Sequence, residues 1–240
     1  MPIHEVRLLR RETVAEGTLA FTFSKPAGFR HRVGQSMLVS LIRPSETNGE
    51  GDSHTFTIAS APHEPELMIA TRMRDTAFKR VLESMPPGIT FTIDGPDRDM
   101  VLEDSVARPV VFLAGGIGIT PFLSMARHAA HERPAHRIDL FYANRCPEDA
   151  AFLDELTRMA RLNPRFRLIA IMAEPEKSAL PRAGETGFIR RELLVRHLPD
   201  LTKPLYYFAG PPGMTMAMQQ MLKDIGIGEP AMRYEEFYGY

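Results

Sequence analysis

The longest apolar stretch in the chain, Pro109 to Met125, is broken in its middle by Gly115, Gly116 and Gly118 and again by Pro121. A membrane-spanning helix needs roughly 17–25 predominantly apolar residues. The stretch is therefore read as three consecutive pieces. Val110–Ala114 is a continuous apolar run, as expected of a strand covered on both faces. Ala114-Gly115-Gly116-Ile117-Gly118-Ile119-Thr120-Pro121 is a glycine turn, and Pro121 to Ala130 reads as a helix. The missing Cβ atoms let backbone amides approach a pyrophosphate, and the helix N-terminus adds a favourable dipole. Pro121 stands where the usual dinucleotide fingerprint has a last small residue. The bland alternative is a turn that only packs strand against helix.

Beyond this turn strands and helices alternate. Ile138–Tyr142 reads as a strand and Pro147–Leu162 as a helix, with Pro147 at its start, Glu148 and Asp149 near the positive end of its dipole, and an apolar stripe of Phe152, Leu153, Leu156 and Met159. Arg167–Met172 is a strand, Ala173–Thr186 a polar loop, Arg190–His197 a helix, Leu205–Ala209 a strand and Pro212–Ile225 a helix. This order implies a doubly wound α/β fold with a parallel sheet. A second turn, Ala209-Gly210-Pro211-Pro212-Gly213-Met214, sits like the first at the carboxyl end of a buried strand, the edge at which open α/β sheets bind ligands.

The first hundred residues differ. Leu19, Phe21 and Phe23, then Met37, Val39 and Leu41, then Phe56 and Ile58, then Ile89, Phe91 and Ile93 follow a period of two. Breaks at 25–28, 44–52 and 86–88 separate them. An antiparallel β-barrel is the expected form, with one short helix near Ala77–Met85. The boundary between the halves is expected near Leu102–Arg108, giving domains 1–104 and 105–240.

Composition narrows the function. The formal net charge is −1, so no basic excess points to nucleic acid or an anionic membrane surface. The one cysteine, Cys146, cannot form an internal disulfide, nor hold an iron–sulfur cluster that needs four thiolates. Met1 to Arg11 is charged and unlike a secretory signal, so a cytoplasmic setting without a membrane span is expected. No Gly-x-Ser-x-Gly elbow supports a hydrolase.

Three segments carry a resemblance: Ser53-His54-Thr55-Phe56-Thr57-Ile58-Ala59-Ser60 with Val33-Gly34-Gln35 upstream, the Gly-Gly-Ile-Gly-Ile-Thr-Pro turn, and the late Ala-Gly-Pro-Pro-x-Met turn. In this order they resemble the ferredoxin–NADP reductase family of flavoproteins over nearly the whole chain. The resemblance implies a flavin-binding barrel, FAD as cofactor, and NADP or NAD bound by the α/β half. It places Phe56 on the flavin ring and Thr57 near the nitrogen that receives hydride, with His54 and Thr55 on the same strand. Arg72, Thr76 and Lys79 are implied at the flavin phosphate. Gly115, Gly116, Gly118 and Thr120 are implied to hold the nicotinamide nucleotide, and Gly210, Pro211 and Met214 to border the nicotinamide. Phe237 or Tyr240 in the tail is implied to cover the flavin until nicotinamide displaces it.

The chain departs from the family pattern at three positions. His54 stands for arginine, which grips phosphate through two bonds as neutral histidine cannot. Phe56 stands for tyrosine and Ala209 for cysteine. Arg145 suits either a ribose 2′-phosphate or a solvated loop. His128 and His131 and the methionines 214, 216, 218 and 221 are read as surface and packing, and Cys146 as an unreactive thiol. The function expected is hydride transfer between NAD(P)H and FAD, coupled to a separate electron-transfer protein such as ferredoxin, flavodoxin or an oxygenase component. The alternatives are a free-flavin reductase and a non-catalytic flavin- or nucleotide-binding sensor.

Overall fold

The computed structural model describes residues 3–49, 51–97, 100–103, 108–132, 136–180 and 184–238. Six strands form an antiparallel sheet: β1 (Ile3–Ala15), β2 (Thr18–Ser24), β3 (Ser36–Leu41), β4 (Ser53–Thr57), β5 (Glu66–Arg72) and β6 (Thr90–Asp97). Their order is β4-β3-β6-β1-β2-β5. The two edges meet just beyond β4, where Ala59 N–H donates to Met68 O at 2.7 Å, so the sheet closes into the expected barrel. Its interior is filled by Val6, Leu8, Phe21, Phe23, Met37, Val39 and Phe91, with Phe78 and Leu82 of helix α1 (Ala77–Ser84) against one end.

The second half is a parallel sheet of β7 (Val110–Gly115), β8 (Ile138–Asn144), β9 (Phe166–Met172), β10 (Glu185–Thr186), β11 (Leu205–Gly210) and β12 (Met232–Glu236), in the order β10-β9-β8-β7-β11-β12. Helices α2 (Thr120–Glu132) and α3 (Leu153–Leu162) cover one face through Phe122, Met125 and Leu156. Helices α4 (Arg191–His197) and α5 (Pro212–Asp224) cover the other through Leu193, Leu194, Met218 and Leu222. From β7 the chain winds first towards β8 and later returns to β11 on its other side. The order reverses between β7 and β11, and both glycine turns lie at that switch point.

Three strands carry weak sequence signals. β1 alternates around Val6 and Leu8 but is otherwise charged, because most of its length faces solvent. β5 is apolar at successive positions, Leu67 to Ala70, because both of its faces are covered. β12 is a charged strand at the sheet edge. The helix expected over Pro147–Leu162 begins later, at Leu153. Pro147–Asp149 forms a single tight turn, and Phe152 takes a left-handed backbone at φ 61°. The Asp149 carboxylate meets arginines instead of capping that helix, and the Ala151 carbonyl accepts from Tyr142 Oη at 3.1 Å. The expected 104/105 boundary falls outside the described residues. Among the described residues no helix is long and apolar enough to cross a membrane.

Candidate functional site

Two clefts open side by side where the barrel meets the switch point. The first has a volume of about 430 Å³ and is lined by His54 to Thr57, Ala70, Thr71, Thr76, Lys79, Ile117, Thr120, Phe237 and Tyr238. Strand β4 places alternate residues on opposite faces. Phe56 is half-buried on this wall beside Phe78, with ring centroids 5.9 Å apart, and His54 meets Phe78 edge-on at 4.4 Å. Thr57 is 3% exposed, and its hydroxyl is buried without a hydrogen-bond partner among the described residues. A buried hydroxyl left in that state costs free energy unless a further group meets it. Thr76 caps α1, its Oγ1 accepting from Lys79 N–H at 3.3 Å. Lys79 Nζ donates to Arg72 O at 2.7 Å.

The second cleft is wider, about 810 Å³. Gly115, Gly116 and Ile117 line its floor, Arg72 and Arg74 the barrel side, Asn144, Arg145 and Asp149 the end of β8, and Pro211 and Met214 the second turn. Ile117 belongs to both clefts. Gly116 takes φ +53° with open space where a side chain would project. Gly118 does the opposite: a Cβ there would come within 2.2 Å of the Ala209 carbonyl oxygen. Gly118 is thus needed for packing of turn against β11 and does not line either cleft. Gly210 likewise packs against Gly115 and Met214, and its carbonyl accepts from Phe237 N–H at 3.0 Å, tying the tail to the site. Thr120 Oγ1 donates to Ile117 O at 3.1 Å.

The structure therefore collects His54, Thr55, Phe56, Thr57, Thr76, Lys79, Thr120 and Phe237 in one cleft, and Arg72, Gly115, Gly116, Arg145, Pro211 and Met214 in the other. Arg72 lines the second cleft and donates to Asp149 Oδ1 at 3.0 Å. Tyr240 lies outside the described residues. Arg145 pairs with the same carboxylate at 2.9 and 3.0 Å. Burial would raise the Asp149 carboxyl, but hydrogen bonds from Arg145, Arg72 and Cys146 outweigh it and hold the group below its usual range. Burial and the same carboxylate push the Cys146 thiol up, which disfavours the reactive thiolate. His131 stacks on His63 at 3.8 Å, and Met218 is buried in the core while Met216 is exposed.

Ile117, Asn144, Asp149 and Tyr238 are lining residues that the sequence alone does not single out. Asp149 has a legible signal, an acid four residues after Arg145, but an acid beside Pro147 reads equally well as the start of a helix.

The Oxidoreductase NAD-binding domain family matches residues 112–220. The chain is 29% identical over 98% of its length to the glycine betaine monooxygenase reductase subunit of Chromohalobacter salexigens, of which it covers 64%. It is 26% identical over 99% of its length to the propane 2-monooxygenase reductase component of Rhodococcus jostii, covering 65% of that protein. The chain thus spans less than two thirds of these relatives. In fold it matches a ferredoxin NADP+ reductase from Neisseria gonorrhoeae, solved with bound FAD and NADP, at TM-score 0.80 and 20% identity, covering 98% of this chain and 99% of that one. Residues 112–220 thus carry an oxidoreductase NAD-binding domain, and over nearly its whole length the chain is similar to flavoprotein reductases of the ferredoxin–NADP reductase type.

The three positions that depart from the pattern of the ferredoxin–NADP reductase family lie in or beside the site. His54 and Phe56 stand on the first cleft's wall, and Ala209 is fully buried with its carbonyl against Gly118. No arginine lines the first cleft among the described residues; Lys79 is its one formal cation.

Proposed function

We propose that this chain binds FAD in the first cleft and a nicotinamide nucleotide in the second, and reduces a separate electron-transfer partner at the expense of NADH or NADPH. The observation that carries this reading is the meeting of the two clefts at Ile117, beneath a tail fastened by Phe237. The residues fit the flavin: a half-buried Phe56 ring offers a stacking face, and the unpartnered Thr57 hydroxyl offers a hydrogen bond at the ring edge. When bound, the flavin supplies hydride acceptance and release of electrons one or two at a time. Thr76, Lys79 and the start of α1 favour the flavin's phosphates. The open backbone at Gly116 and the start of α2 favour the pyrophosphate of the nucleotide. Phe237 shields the first cleft from water and has to move for nicotinamide to reach it. No general acid is required of the protein for hydride transfer; its contribution is orientation and exclusion of water. An oxygenase component is the favoured acceptor, supported by the reductase relatives, and a cytoplasmic setting and the division at 104/105 belong to the same proposal.

A second reading, a reductase that releases reduced flavin, is favoured by one observation, the lack of an arginine in the first cleft among the described residues. Anaerobic titration of the FAD-saturated chain with NADH and with NADPH tests both. Bleaching of the oxidised-flavin band, with flavin retained on a desalting column after reduction, is the expected result. Bleaching with loss of flavin selects the second reading. Failure to bind flavin refutes both, and flavin that stays oxidised with either nucleotide leaves a sensor.

A further inference from the structure

The second cleft presents three arginines, Arg72, Arg74 and Arg145, against two carboxylates, Glu16 and Asp149. Two of these arginines converge on one acid. Arg145 places Nε and one Nη on Asp149 at 2.9 and 3.0 Å, and Arg72 adds an Nη at 3.0 Å. The Asp149 side chain is 4% exposed and that of Arg145 63%. The carboxylate is therefore part of the wall, with Arg145 folded over it. An anion that reaches Arg145 must compete with this two-point bond and approach a fixed negative charge. A ribose 2′-phosphate carries about 1.5–2 negative charges at neutral pH and gains from Arg145 only what its pairing with Asp149 leaves; a 2′-hydroxyl carries no charge and loses nothing by that pairing. On the same wall Asn144 is 8% exposed. Its buried amide stands beside the Tyr142 hydroxyl.

We propose that Asp149 is a specificity-determining residue: by holding Arg72 and Arg145 it makes the second cleft select NADH over NADPH. The inference rests on the second cleft being the nicotinamide-nucleotide site. Arg145, the one residue whose sequence position suggests a 2′-phosphate contact, is engaged by an acid that the fold supplies four residues later. Asp149 acts on the nucleotide chiefly through the arginines it positions.

Calorimetric titration of the full chain with 5′-AMP and with adenosine 2′,5′-bisphosphate tests this without flavin or turnover. The wild-type chain is expected to bind 5′-AMP at least as tightly as the bisphosphate. Asp149→Asn, nearly isosteric, releases the arginines and is expected to shift the affinity ratio about tenfold towards the bisphosphate, the scale of one charge-assisted contact. Asp149→Glu is expected to keep the wild-type order. A general loss of stability weakens both ligands alike and does not move their ratio. A tenfold wild-type preference for the bisphosphate, or an Asp149→Asn ratio equal to wild type, overturns the inference while leaving the nucleotide site intact. Binding of neither ligand overturns the nucleotide site and the inference together. Should Asp149→Asn not fold, the wild-type ratio decides alone.

Discussion

Gly118 and Gly213 lie in the two similar turns, yet the structure gives them different work. A methyl at Gly118 would meet the Ala209 carbonyl at 2.2 Å and the Gly210 nitrogen at 2.8 Å, both backbone atoms that cannot rotate aside, whereas nothing lies within 4 Å at Gly213. Gly118→Ala is expected to lower unfolding free energy by about 1–3 kcal/mol. Gly213→Ala, in the first turn of α5, is expected to raise it by roughly 0.5–1 kcal/mol. Urea melts of the two variants against wild type check the opposite signs. His31 supplies a pH test at the same scale. It is 7% exposed, and burial pushes its imidazole down from 6.5 to about 4, against the bond at 3.2 Å to the Ser60 carbonyl. Between those pH values the unfolded chain takes up a proton that the folded chain refuses. Stability therefore falls as pH drops through that window, by up to about 3 kcal/mol from this group. His31→Gln removes the group, so the difference in urea stability between pH 7 and pH 4.5 should be smaller in the variant; an equal difference would mean His31 is protonated while folded.

At the scale of elements, α1 separates a structural role from a cofactor role. Thr76 caps the helix and also lines the first cleft. Thr76→Asp keeps a capping oxygen and is expected to stay within about 0.5 kcal/mol of wild type in unfolding free energy. Its charge would face the flavin phosphates in the proposed complex, so FAD affinity, read by fluorescence quenching, is expected to fall at least about tenfold. Unchanged affinity would place the phosphates elsewhere. The elements that position this site are legible in the sequence to different degrees. β7, its glycine turn and α2 stand out because a strand covered on both faces, three glycines and a helix start leave no other local solution. The closure of the barrel does not, because it depends on β5 meeting the segment after β4, and an apolar run such as Leu67–Ala70 has no periodicity to mark it. Residues read by motif, Phe56, Thr57, Gly115 and Gly116, fall on the clefts. Asp149, Asn144 and the turn of Arg72 towards the second cleft are not legible, because they arise from one half meeting the other.

That meeting of halves governs the whole molecule. One hydrophobic cluster contains Val33, Ala59, Met68 and Ala70 from the barrel side together with Phe112, Phe122, Met125 and Tyr142 from the α/β side. Polar contacts reinforce it: Ser124 Oγ donates to Ser60 O at 2.8 Å, Glu16 N–H to Glu148 O at 2.8 Å, and Arg127, 15% exposed, joins Glu155 at 2.7 Å and Glu64 at 3.4 Å. Unfolding the barrel alone would strip apolar cover from α2 and leave Arg127 half-partnered, and breaking a buried pair on one side is costly. The halves are therefore expected to unfold together. The chain carries its own reporter for this, since it has no tryptophan and its six tyrosines all come at or after position 142 in the sequence, with Tyr142, Tyr206, Tyr207 and Tyr234 on strands of the parallel sheet. Tyrosine fluorescence follows the α/β half, while far-ultraviolet circular dichroism follows both. Coincident midpoints in urea are the expected result for one cooperative unit. Met125→Lys puts a charge into the shared cluster and should pull the two curves apart. Separate midpoints in the wild type would mean that the contact between the clefts is made and broken within the folded state, and that the pairing of Arg72 with Asp149 is then a hinge contact rather than a fixed wall.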